Sequence, residues 1–165
     1  MPSWGILIIV LIGALTLISA FSSSSEIVYA TVNKIKVEKA STTNKKAKAA
    51  QDLILNYPKL LATILVLNNL VNIALSSAAT VLATEIWPEN GELIATVFST
   101  LLLLIFGEII PKTISTRFSY SLCLFYARIL KFLIMIFKPV VFLATKFTNL
   151  FSPLWTPKEK EELVT

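Results

Sequence analysis

The chain has 165 residues, 55% of them hydrophobic and only 15% charged, with a mean hydropathy of +0.75 and a formal net charge of +5. So little charge excludes an ordinary soluble domain, and at about 20 apolar residues per crossing the length accommodates three or four spans with short loops. With one Cys, Cys123, an internal disulfide is excluded, and with no His a zinc or copper site has almost no ligands, whereas hard-cation chemistry through oxygen ligands remains open.

The first apolar run, Gly5 to Thr31, lacks a basic segment ahead of it and continues through SSSSEIVYATV without a small-residue cleavage site. It reads as a retained span, not a signal sequence. Lys34, Lys36, Lys39, Lys45, Lys46 and Lys48 follow it. By the positive-inside rule this polar loop, through Asn56, is cytoplasmic, with short helices, and the N-terminus lies outside.

Pro58 suits a first helical turn and opens the second span, about 59–87. The acidic, Trp-flanked turn Trp87-Pro88-Glu89-Asn90-Gly91 leads to the third span, about 92–115, which returns to Lys112 and Arg117. No Lys or Arg occurs from Met1 to Asn33 or from Leu60 to Pro111. That clustering is a topology signal and argues against nucleic acid as the partner of the positive charge. Three spans, N-terminus out and C-terminus in, satisfy every cluster, as expected of a multi-pass protein of the plasma (inner) membrane.

From Phe118 to Phe151 the chain is apolar but interrupted by Arg128, Lys131, Lys138 and Lys146. The first three fall within about 80° of one another on a helix, and the other faces carry Phe125, Phe132, Phe137, Leu133 and Ile134. A basic stripe on an aromatic-rich helix suits the bilayer interface. The expectation is an amphipathic juxtamembrane belt, about 118–151, broken into two helices at Pro139, with a fourth span as the rival. The fold class is thus an all-α membrane protein. A transmembrane domain covers 1–152, and 153–165 reads as the start of a linker.

Three polar clusters interrupt the spans. In the second, Asn68, Asn72 and Ser76 recur every four residues as one stripe, with Asn69 beside it. Such residues often only join helices by hydrogen bonds, but three Asn within five residues at mid-membrane depth point to a site. In the third, Glu108 is an intramembrane carboxylate, costly unless paired or hydrated. Pro111 has no N–H to give the Gly107 carbonyl four residues back. A carbonyl beside a carboxylate is half of a hard-cation site. Lys112, one turn further, can snorkel to the surface or neutralise Glu108. In the first, Ser22, Ser23, Ser24 and Ser25 point around most of the helix, and Glu26 is a second intramembrane acid. With a rise of about 1.5 Å per residue, Ser24 and Asn69 each lie roughly 15 Å from the basic end of their span, so the clusters can share one level.

SSSE (Ser23 to Glu26), LLATILVLNNLVN (Leu60 to Asn72) and FGEIIPKT (Phe106 to Thr113), in this order and spacing, resemble the membrane domain of the CNNM/CorC family, cyclin M-like magnesium and cobalt efflux proteins. The chain departs from that pattern at Leu67, Ser22 and Ser24. The resemblance implies a homodimer among membrane lipids, with three transmembrane helices and a juxtamembrane belt per subunit, and a cytoplasmic CBS-domain pair further along the full-length chain. It implies Mg²⁺ export coupled to Na⁺. The magnesium positions would be Ser23 or Ser25, Asn68, Asn72, Gly107 and Glu108, supported by Asn69, Ser76, Pro111, Glu26 and Lys112. The alternative is a membrane anchor or assembly module for cytoplasmic regulatory domains, with the polar residues as helix glue. No residue set pairs a nucleophile with a base, so enzyme activity is not expected.

Overall fold

The computed structural model describes residues 3–151 and is helical throughout them, so the expected linker at 153–165 lies outside the described residues. Helix α1 covers Ser3–Thr31, followed by the short α2 (Lys34–Ser41) and α3 (Lys45–Leu55), then α4 (Tyr57–Ile86). The polar loop, expected to hold short helices, contains two, α2 and α3. Their starts are set by side chains: Asn33 accepts from the Lys36 N–H and Asn44 from the Lys46 N–H, as Asn does at an N-cap. Pro58 sits in the first turn of α4, where its missing N–H costs nothing.

The third apolar segment contains three parts: α5 (Gly91–Leu102), a π-helical stretch (Leu103–Ile109) and α6 (Ile110–Arg117). The sequence indicates a single span, about 92–115, with a missing backbone donor at Pro111. In the π stretch bonds span five residues, and the Ile110 N–H donates to the Ile105 carbonyl. The wider register sets in directly before Pro111, where the α-helical donor is missing, and such π turns recur at functional sites.

Helix α7 covers Ser119–Phe151 with Pro139 inside it, which corrects the expected break into two helices. Pro139 and Met135, the residue whose carbonyl it leaves without a donor, are both exposed. The lost hydrogen bond therefore faces the surroundings instead of the packed interior, and the helix survives it. Four helical segments, α1, α4, α5 through α6, and the first 25 residues of α7, are long and apolar enough to cross a membrane. The protein is an all-α membrane protein.

Two apolar cores form. One joins Ile12 of α1, Leu75, Ala79 and Ala83 of α4, and Ala95 of α5. Small residues dominate because α4 and α5 run close: a Cβ on Gly91 would sit 2.5 Å from the Thr84 Cα. The other core lies at the basic end and gathers Val28, Tyr29, Val37, Leu53, Leu60, Ile64, Cys123 and Leu130 from α1, α2, α3, α4 and α7. There α7 follows the segment between α1 and α4. The Lys36 ammonium stands 4.2 Å from the Tyr120 ring centroid, Lys131 pairs with Asp52 at 2.6 Å, and Lys138 and Pro139 line a cavity with Pro58 and Lys59. Those contacts span about 28 Å of α7, all against residues of one end of the bundle.

Candidate functional site

Between the two cores lies a polar layer on α1. Ser19, Ser22, Ser23, Ser24 and Ser25 are all buried, the least so at 4% exposure. Four consecutive buried residues occupy every side of a helix, so α1 is enclosed here by α4, the π stretch, α6 and α7. Serine suits such a place because it is small and brings its own donor. Ser22 uses that donor on its own helix, bonding the Ile18 carbonyl at 3.0 Å.

On the side facing α4, the Ser19 hydroxyl lies 2.8 Å from the Asn72 Oδ1 and 3.3 Å from the Asn68 Oδ1. One hydroxyl has one proton, so it satisfies only one of the two amide oxygens at a time. Gly107 closes the same point from the π stretch: a Cβ built on it would meet the Ser19 Oγ at 2.9 Å. Thus Asn68, Asn72 and Gly107 are brought together, and the first-helix member at their centre is Ser19. It lies one turn before Ser23 of the Ser run. Ser19 is legible only as the single Ser in LTLISAF, four residues before Ser23 and therefore on nearly the same helical face.

Ser23 and Ser25 are both buried with no hydrogen-bond partner for their hydroxyls among the described residues. They lie roughly 200° apart around α1 and cannot face one point. Ser23 lies within about 40° of Ser19, on the Asn side, while Ser25 turns away.

Glu108 is half-buried and forms no ion pair or hydrogen bond among the described residues. Lys112 does not neutralise it. The Lys112 ammonium instead pairs with Glu26 at 3.2 Å, both side chains about one-third exposed. The reason is helical geometry. Glu26 is seven residues beyond Ser19, two turns down the same face of α1, and Lys112 is five beyond Gly107 on the strand of helix packed against it. Contact of Ser19 with Gly107 therefore sets Glu26 beside Lys112.

Of the supporting residues, Asn69 is exposed and stays out of the cluster. Ser76 is half-buried and lines an open groove of about 560 Å³ with Asn72, Ser77 and Thr80. Pro111 stands in the first turn of α6. Three residues the sequence reading passed over hold α1 on its other side. Ser24 bonds the Ser115 hydroxyl at 2.5 Å and the Tyr126 hydroxyl at 2.9 Å, and the Tyr29 hydroxyl donates to the Cys123 carbonyl at 2.9 Å. Tyr126 also meets Phe21 edge to face, with ring centroids 4.8 Å apart.

The donor set is all oxygen: two amide carbonyls and one or two hydroxyls at one level, with a backbone glycine and a carboxylate residue on the adjoining helix. Such a set suits Mg²⁺, Ca²⁺ or Na⁺ better than softer metals. Among the described residues no group of three His, Cys, Asp or Glu side chains could hold a metal.

Similarity to known proteins agrees with the motifs. A UPF0053 protein of Haemophilus influenzae is 40% identical over 144 residues, covering 87% of this chain and 34% of the relative. The UPF0053 protein sll1254 of Synechocystis is 35% identical over 137 residues, 81% of this chain and 39% of the relative. The UPF0053 inner membrane protein YfjD of Escherichia coli is 32% identical over 134 residues, 81% of this chain and 31% of the relative. The chain thus spans about a third of the length of these curated relatives. The model of the cyclin M transmembrane N-terminal domain matches residues 8–165, and the chain belongs to that family.

Proposed function

We propose that this domain carries a cation across the membrane, with Mg²⁺ as the transported ion and Na⁺ as the coupling ion. The observation that carries the reading is the convergence of the Asn68 and Asn72 amide oxygens on Ser19, closed by Gly107. Two acceptors competing for one proton are an arrangement that a cation relieves. Mg²⁺ holds six oxygens at about 2.0–2.1 Å, so neighbouring ligands stand about 2.9 Å apart. The Ser19 to Asn72 and Asn68 separations, 2.8 and 3.3 Å, need little adjustment to reach that edge length. Ser23, one turn along the same face and without a partner among the described residues, is the next hydroxyl available to an ion moving toward the basic end. Glu108 supplies the negative charge, and the Glu26–Lys112 pair stands between the layer and that end.

In this reading α1, α4 and α5 through α6 cross an inner membrane with the N-terminus outside. Helix α7 lies as a belt at the cytoplasmic surface, supported by its contacts with Lys36 and Asp52 and by the cavity it lines with Lys59. The full-length protein acts as a homodimer with cytoplasmic CBS domains.

The test is Mg²⁺ efflux from proteoliposomes holding the full-length protein. Asn72→Ala and Glu108→Ala are each expected to lower flux tenfold or more, and unchanged flux in both overturns the reading. The belt is tested separately with a cysteine at Leu143 in a Cys123→Ala background, labelled by a membrane-impermeant thiol reagent. It is expected to react from the same side as a cysteine at Lys48. Reaction from the opposite side makes α7 a fourth span.

A further inference from the structure

Helices α3 and α7 enclose a groove of about 440 Å³ that has no part in the polar layer. Four cations line it: Lys45 and Lys46 from the start of α3, and Arg128 and Lys131 from α7. Lys131 is taken up by Asp52 at 2.6 Å. Lys45, Lys46 and Arg128 form no ion pair among the described residues, which leaves three uncompensated positive charges around one concavity. These cations come from two different helices and line the same groove.

The rest of the lining is apolar. Ala49, Leu124 and Ala127 form its floor, and Phe125 and Ile129 lie at its edge, Phe125 being 65% exposed. A free inorganic anion gains nothing from that apolar edge. An amphiphile does, because its anionic head can sit among the cations while its chains lie along Phe125 and Ile129. Arg128 can grip a phosphate by two parallel N–H donors, and the two lysines add point charges.

We propose that this groove binds the phosphate headgroup of an anionic phospholipid of the leaflet against which α7 lies. The site rests on the belt reading of α7. It also gives the basic stripe a purpose beyond topology, since a lipid held between α3 and α7 bridges the loop after α1 to the helix that leads out of the domain.

The experiment uses the purified full-length protein and a fluorescent phosphatidylglycerol, with fluorescent phosphatidylcholine and inorganic phosphate as parallel arms. Saturable binding of phosphatidylglycerol is expected, with phosphatidylcholine at least tenfold weaker and inorganic phosphate unable to compete at equal concentration. Each charge near the surface contributes about a fivefold factor, so Lys45→Gln, Lys46→Gln and Arg128→Gln together are expected to weaken binding about a hundredfold. All three side chains are exposed, so an unchanged melting temperature is expected and marks the loss as one of binding. Equal binding of the two lipids, competition by inorganic phosphate at equal concentration, or undiminished binding by the triple variant overturns the proposal. The Leu143 accessibility experiment separates the two failures. Labelling from the Lys48 side without lipid selectivity rejects the lipid site alone, whereas labelling from the far side rejects the belt and the site with it.

Discussion

The two sides of α1 treat buried polar groups differently. Toward α6 and α7 most hydroxyls are satisfied: Ser24 meets Ser115 and Tyr126, and Tyr29 reaches the Cys123 carbonyl, while Ser25 alone on that side has no partner among the described residues. Toward α4 they are not, since two amide oxygens share the single proton of Ser19 and the Ser23 hydroxyl has no partner among the described residues. A satisfied buried network holds helices in place, and a half-satisfied one costs stability unless something completes it. The same residue type, serine, therefore serves as a fastener on one face and as a candidate ligand on the other. Position relative to the neighbouring helix decides which.

Gly107→Ala breaks this contrast most sharply. The new Cβ meets the Ser19 Oγ at 2.9 Å, and that atom is the end of a rotatable side chain. Ser19 can swing away, at the cost of its bond to Asn72, about 0.5–1.5 kcal/mol. The fold is expected to survive with a melting temperature lower by only a few degrees, while Mg²⁺ flux in proteoliposomes falls tenfold or more. A flux loss matched by an equal loss of folded protein would make Gly107 a packing residue and nothing more.

On the fastened side the expectation reverses. Tyr126→Phe keeps the ring against Phe21 and removes the hydroxyl bonded to Ser24, so about 0.5–1.5 kcal/mol of stability is lost. Flux per folded molecule is expected to stay within twofold of the unsubstituted protein. Denaturation in detergent alongside flux measures both, and a tenfold flux loss without destabilisation would extend the site to the α7 side.

The sequence carried much of this and missed a definable part. The spans, the short helices after Asn33 and the membership of Asn68, Asn72 and Gly107 in one cluster follow from apolar runs, charge clusters and motif spacing. Those signals are local, or repeat at a helical period. Ser19 and Tyr126 escaped because each is a single polar residue whose meaning comes from another helix. The π stretch at Leu103–Ile109 escaped because Pro111 announces a missing donor without saying how the backbone will respond. The pairing of Lys112 with Glu26 instead of Glu108 escaped for a related reason: depth along a span can be counted from sequence, but rotation about its axis relative to a neighbour cannot.

That pairing gives the smallest expected effect and a useful one. Glu26 and Lys112 are each about one-third exposed and joined at 3.2 Å, so the pair is screened and worth little on its own, about 0–1 kcal/mol. Glu26→Gln is expected to change the melting temperature by no more than a few degrees, because so exposed a pair contributes little to stability. If the pair only joins α1 to α6, flux also stays unchanged. If Lys112 stands guard between the layer and the basic end, freeing it from Glu26 lets it swing toward Glu108, four residues back on its own helix face. The Mg²⁺ concentration for half-maximal flux then rises, and Lys112→Gln in the same protein restores it. An unaltered half-saturation in Glu26→Gln assigns the pair to the fastened side of α1, and the unsatisfied side then ends at Ser23.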